Sequence, residues 1–149
     1  VGGMEEDLAH WRHECAGIDN IVFHGYVSHQ RAKAYIKAFD VVLLPNQRKV
    51  AAYDVGEISQ WTSPLKAFEY MAAGKPIIAS DLSVLREVLI HNENALLCDC
   101  ENIEAWATAL ETLRDDKALT DRLSYQAKAI FLEQYTWQAR AASLLAVQS

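Results

Sequence analysis

"TSPLKAFEYMAAGKPIIASD" occupies residues 62–81, and its reading decides the fold. Ser63 suits a helix N-cap, and Pro64 suits the first helical position, where a missing N–H costs nothing. Gly74 comes just past the last turn as a C-cap, and Pro76 cannot continue a helix. The punctuation predicts a helix over 64–73 and an apolar strand over 75–81. At about 100° per residue, Leu65, Phe68, Met71 and Ala72 gather on one arc, the expected core stripe. Glu69 falls beside Leu65 at the edge of that arc, with Lys66 and Ala73 just beyond it.

A carboxylate beside an apolar face needs hydrogen-bond donors, because burial without them is costly. A ribose supplies two hydroxyl donors in a fixed cis arrangement, and one carboxylate accepts from both. The start of the same helix, Ser63 to Lys66, carries unpaired N–H groups and the positive end of the dipole, which favours an anion. Glu69 lies about 7–8 Å further along the axis. A nucleoside diphosphate matches that span. The plainer alternative makes Glu69 a solvated residue paired with Lys66 or Lys75, contributing little.

Outward from this segment, short apolar runs alternate with helical ones, the pattern of a parallel sheet with crossover helices. Strands are expected over 20–27 ("NIVFHGYV"), 40–45 ("DVVLLP"), 75–81 and 94–99 ("NALLCD"). Near-continuous apolar runs suit strands covered on both faces. Helices are expected over 4–16, from Ser28 to about 39, over 101–114 with Ile103, Trp106, Ala107, Leu110 and Leu113 as its stripe, and over 117–134 and 136–147. Trp11, Trp106 and Trp137 fall at core spacings. The fold class is thus α/β, a Rossmann-like parallel sheet with flanking helices and a helical C-terminus. Residues 46–61 form a long loop without clear period, after a strand's carboxyl end, where open α/β sheets bind ligands.

The 149 residues suffice for one domain with a real core, and 51% hydrophobic with 23% charged is ordinary globular composition. A net charge of −6, with Arg48-Lys49 the only adjacent basic pair, argues against a nucleic-acid partner. Three cysteines without regular spacing suit reduced thiols in a cytoplasmic setting rather than a disulfide framework. No apolar stretch is long enough to span a bilayer. "VGG" at the start reads as the end of a strand before a tight turn, so the chain is expected to begin inside a domain.

The stretch "SPLKAFEYMAAGKPIIASDLSVLREVL" resembles the nucleotide-sugar-binding segment of family 4 glycosyltransferases, which retain anomeric configuration and have the GT-B fold. "FHGYV", "DVVLLP", "NALLCDCENIEAWATALETLRDD" and "YTWQARAASLL" resemble the same family in the same order, so the likeness covers essentially the whole chain. It implies a single donor-binding domain, the C-terminal half of a GT-B fold over 1–149. The donor is a UDP- or GDP-sugar, which is a substrate, so no cofactor and no metal are implied. In that family a Glu-x7-Glu motif bridges the donor. Glu69 matches the second Glu, which holds the ribose; the first position is Trp61 here, which either stacks on the sugar or packs the loop. Ser63, Pro64 and Leu65 match the turn whose backbone faces sugar and diphosphate, and Lys66 adds charge there. Gly25, Tyr26 and Val27 match the loop bordering the base, and Asn46 lies at the same sheet edge.

The family's basic pair for the leaving diphosphate precedes the "VGG" equivalent, and so does the acceptor-binding domain. The catalytic residues are therefore expected outside this chain, and the fragment alone is expected to be inactive. The resemblance implies a glycan or lipid-linked saccharide acceptor, as in bacterial polysaccharide biosynthesis. It also implies peripheral membrane association of the full-length enzyme through the acceptor domain. Two alternatives stand beside this: a non-catalytic α/β module with a degenerate nucleotide site, favoured by Trp61, and a GT-B sugar-nucleotide epimerase, which lacks the "SPLKAFEYMA" segment. "AAGKPI" is not a phosphate-binding loop, and His10, His13 and Cys15 do not complete a metal site.

Overall fold

The computed structural model describes residues 1–47, 51–52, 56–57 and 65–146. The chain forms two compact units, Val1–Ala38 and Phe39–Ser149.

In the first unit, α1 (Glu5–Glu14) places Glu5, Glu6 and Asp7 in its first turn, where acids complement the helix dipole. Its one buried side chain is Leu8. α2 (His29–Ala38) is capped by Ser28, whose Oγ accepts from the Arg31 N–H at 3.4 Å. The segment expected as the first strand, 20–27, is not a strand. An apolar run becomes one only where a neighbour completes its backbone ladder. Here Ile21 and Val22 are exposed, and the Gly25 carbonyl instead accepts from the Gly2 N–H at 2.6 Å.

The other three strands are present: β1 (Val42–Leu44), β4 (Ile77–Ser80) and β5 (Leu96–Cys98), parallel in the order β1-β4-β5. Between β1 and β4, the long loop contains a short antiparallel pair, β2 (Ala51–Ala52) with β3 (Gly56–Glu57), which the sequence did not announce. α3 (Leu65–Ala73) follows the loop. Every residue of β4 is buried, as a central strand covered on both faces requires. A short helix, α4 (Ser83–Arg86), joins β4 to β5. Asn94 then fixes the turn into β5: fully buried, its Oδ1 accepts from the Ile90 N–H at 2.7 Å and its Nδ2 donates to the Val88 carbonyl at 3.0 Å.

α5 (Ile103–Asp115) and α6 (Lys117–Ile130) are N-capped by Asn102 and Asp116. Ala109, Leu113 and Leu123 of these helices close one core cluster with Ile78, Leu96 and Cys98 of the sheet. Of the α5 stripe read from sequence, Leu113 is buried and Trp106 half-buried, while Ile103, Ala107 and Leu110 are exposed and Ala109 is buried instead. Small Ala109 lets the helix approach the strands closely. α6 ends in a π-helical turn (Phe131–Tyr135), and Thr136 breaks the chain before α7 (Trp137–Ala146) and caps it, accepting from the Ala139 N–H at 3.1 Å. Trp11 and Trp137 are exposed and do not join a core; Trp106 is half-buried and donates through Nε1 to the Asp99 carbonyl at 3.0 Å. No helix among the described residues is long and apolar enough to cross a membrane.

Candidate functional site

β1 and β4 are parallel neighbours, so the chain leaves β1 at the carboxyl edge of the sheet and enters β4 at the amino edge. α3 makes that return journey, which turns its N-terminal end toward the carboxyl edge, where such sheets bind ligands. Gly74 ends the helix with φ +63°, a conformation glycine adopts freely, and its N–H bonds the Met71 carbonyl at 2.9 Å. α3 is held by β1, α6 and the π-helical turn, with the Phe68 and Tyr135 rings 4.9 Å apart.

The buried face of α3 is Ala67 and Met71, with Phe68 half-buried beside them. Met71 and Phe68 follow the stripe read from sequence, whereas Leu65 is 67% exposed and Ala72 is also exposed. Glu69 keeps the company of Leu65 and Ala72 on the accessible side. Its side chain is 32% exposed and accepts an ion pair from Lys66 Nζ at 3.1 Å. The lysine is 61% exposed. This is the pairing that the plainer reading of Glu69 anticipates.

Tyr70 lies next to this pair. Burial pushes its phenol above the ordinary value, Lys66 pulls it down and Glu69 adds to the rise. The phenol therefore stays protonated at neutral pH, an O–H beside a charged pair. The unfolded phenol ionises near 10.0 while the folded one resists, so stability present below that pH is lost as pH climbs through the raised folded value. Tyr70→Phe is expected to flatten the alkaline fall in urea-unfolding midpoints as pH rises above the unfolded value of 10.0. An unchanged alkaline slope in the variant would contradict this.

Asn46 is half-buried just beyond β1. Its carbonyl accepts from Ser80 Oγ at 2.6 Å, and Ser80, the last residue of β4, is fully buried. Ser80 thus ties the start of the long loop to the sheet edge. Sequence reasoning passed over it, although a hydroxyl closing the apolar run "IIAS" was the available signal. Gly25, Tyr26 and Val27 belong to the first unit. Gly25 is buried with φ +64°, and an added Cβ would stand 2.9 Å from Leu8 Cδ1; Tyr26 is 82% exposed. Trp61, Ser63 and Pro64 lie outside the described residues. A surface cleft of about 570 Å³ lined by Asp81, Arg86, Leu89, Ile90, His91 and Leu97 holds none of the residues named from sequence. In it the Arg86 guanidinium grips both oxygens of Asp81.

Residues 1–130 match the family described as Glycosyl transferases group 1. The chain belongs to this family. The group 1 domain is 29% identical over 135 residues to the D-inositol 3-phosphate glycosyltransferase of Xylanimonas cellulosilytica, covering 91% of this chain and 29% of that protein. It is 27% identical over 146 residues to the GDP-mannose-dependent alpha-(1-6)-phosphatidylinositol monomannoside mannosyltransferase of Mycobacterium tuberculosis, covering 97% of this chain and 37% of that protein. The chain thus spans 29% and 37% of these curated relatives' lengths, roughly a third. The solved structure of Anabaena HepE in complex with UDP-glucose superposes with a TM-score of 0.71 at 19% identity, over 98% of this chain and 40% of that one. That likeness gives the fold: the group 1 domain has the α/β architecture of GT-B glycosyltransferases.

Proposed function

We propose that this chain is the donor-binding part of a retaining, family 4 glycosyltransferase, and that α3 holds a nucleoside diphosphate sugar. The observation that carries the reading is Glu69: a partly exposed carboxylate in the middle of a helix whose N-terminal end is turned toward the ligand edge of a parallel sheet. In this reading Glu69 accepts from the two ribose hydroxyls. The diphosphate lies at the start of α3, where free N–H groups and the dipole favour it, and Lys66 turns from Glu69 to the phosphates. Leu65 faces the sugar and diphosphate, and Asn46 stands at the same edge. Trp61 takes the place of the family's first acid.

The donor class is supported by two relatives: HepE was solved with UDP-glucose, and the M. tuberculosis protein is named as GDP-mannose-dependent. In the whole enzyme, an acceptor hydroxyl takes the sugar with its anomeric configuration retained and the nucleoside diphosphate departs. Charge growing on that leaving group is stabilised by the helix end and by cations from outside this chain. The acceptor, a glycan or lipid-linked saccharide, is bound by a further domain, and the enzyme works in the cytoplasm or at a membrane surface.

A thermal-shift titration with UDP, GDP and ADP tests the reading. One nucleotide at about a hundred times its dissociation constant is expected to add about 2.7 kcal/mol of stability and so identify the base. Failure of all three to stabilise the chain sinks it. The Lys66–Glu69 ion pair favours a second reading, a module whose nucleotide site is degenerate and whose glutamate is only a surface partner. That reading expects no nucleotide to bind.

A further inference from the structure

We propose that His91 is a pH-sensitive latch on the edge of the sheet, holding the turn 90–95 to β5 through the Leu97 N–H. In the order β1-β4-β5, β5 ends the sheet among the described residues. Along a strand, successive backbone groups point to alternate sides. The Cys98 carbonyl turns toward β4, where it accepts from the Asp81 N–H just past that strand at 2.7 Å. The neighbouring Leu97 N–H therefore points away from β4, and it donates to His91 Nδ1 at 3.0 Å. A donor left open on an edge strand invites pairing with another chain, and here an imidazole closes it.

The local fold brings the ring there. Asn92 has φ +62°, a left-handed conformation that asparagine tolerates better than most residues, and its N–H bonds the Ala95 carbonyl at 2.9 Å. His91 and Ala95 thereby form an isolated bridge beside β5. Asn94 fastens the inner side of the turn to Val88 and Ile90, and Arg122 of α6 donates from Nη1 to the Asn92 carbonyl at 2.8 Å. None of these bonds depends on a group that titrates near neutral pH.

The bond to Leu97 does. An imidazole Nδ1 accepts an N–H only while it carries no proton, and histidine changes charge between about pH 8 and 5. His91 is exposed, so protons reach it. Asp81 and Arg86 of α4 line the same cleft and hold each other, and Arg122 reaches the turn from α6. The strand itself, Leu96–Cys98, brings no charged side chain. Arginine and arginine-paired aspartate keep their charges over this range, so His91 is the group that switches. Once protonated, its ring meets the Leu97 N–H donor to donor and turns out to water. The turn then rests on Asn94 and Arg122, and the edge of β5 is open.

Amide hydrogen exchange of the full chain at about pH 7.5 and about pH 5 tests this, with each rate compared with the intrinsic rate at the same pH to give a protection factor. Leu97 is expected to lose about fivefold in protection at the lower pH, the worth of one hydrogen bond, while Ile78 and Ala79 in β4 keep theirs. His91→Asn places an oxygen acceptor where Nδ1 stood and does not titrate, so its Leu97 protection is expected to be the same at both pH values. His91→Ala is expected to show the low value at both. Wild-type Leu97 protection that does not change with pH overturns the proposal, and so does a fall in His91→Asn equal to that of the wild type. A parallel loss at Ile78 and Ala79 overturns it as well, because acid is then loosening the whole sheet rather than one latch.

Discussion

Glu69→Ala is expected to weaken nucleoside diphosphate binding at least a hundredfold while leaving the unliganded chain almost as stable as before. A hydrogen bond to a charged group is worth about 1.5–3 kcal/mol, so losing two ribose bonds amounts to about 3 kcal/mol or more. The other role visible for Glu69 is its ion pair with Lys66, 3.1 Å long between partners that are 32% and 61% exposed. Exposed pairs of this kind contribute about 0–1 kcal/mol, so stability is a poor reporter and affinity a good one. Calorimetric titration of wild type and variant with the nucleotide that stabilises the wild type measures the effect. The 2′-deoxy nucleotide adds a sharper control: in the wild type it loses part of the affinity, whereas in Glu69→Ala it binds as the ribonucleotide does. A variant with wild-type affinity would leave Glu69 as a surface residue.

Asn94→Ala is expected to be the most damaging single polar change for stability. Asn94 is fully buried and serves two backbone groups, the Ile90 N–H and the Val88 carbonyl. Each buried group left unpaired costs about 1–3 kcal/mol, and a small cavity adds to this. A loss of about 3 kcal/mol or more, corresponding to roughly 10 °C in thermal midpoint, is expected for a chain of this size. Glu93→Ala is the control: the neighbouring residue is exposed and its replacement is expected to stay within about 0.5 kcal/mol. Urea unfolding of both variants checks the contrast. Equal midpoints for the two would mean that the turn into β5 does not depend on its buried amide. The segment matters because β5 pairs with β4, the strand whose last residue, Ser80, anchors Asn46.

These two residues differ in how visible they are in a bare sequence. Glu69 stands out because a charge interrupts a punctuated apolar helix. Asn94 does not, since asparagine in "HNENALL" reads equally well as any turn residue. Only the direction of its side chain, inward to two backbone groups, sets it apart. Ser80 was hidden for the same reason: it owes its place to a partner far along the chain, Asn46.

Punctuation and period carried most of the architecture. Ser28, Gly74 and Pro76 mark element ends through the local chemistry of caps, which needs no distant partner. Apolar runs at 77–80 and 96–98 are of the kind expected of strands covered on both faces, and both are strands. These features determined the helices, the three parallel strands and the position of Glu69 on α3. Tertiary structure decided what depends on contact. The segment 20–27 has the composition of a strand, yet strand formation requires a neighbour's backbone, and the Gly25 carbonyl bonds to Gly2 instead. On α3 and α5 Met71 and Leu113 are buried as their stripes predict, but Ala67 and Ala109 share those faces while Leu65, Ala72, Ile103 and Leu110 are left exposed. Hydrophobicity summed around a helix names a broad arc; steric fit against the sheet and its neighbours selects the part of that arc that is buried, and with it the side on which Glu69 remains accessible.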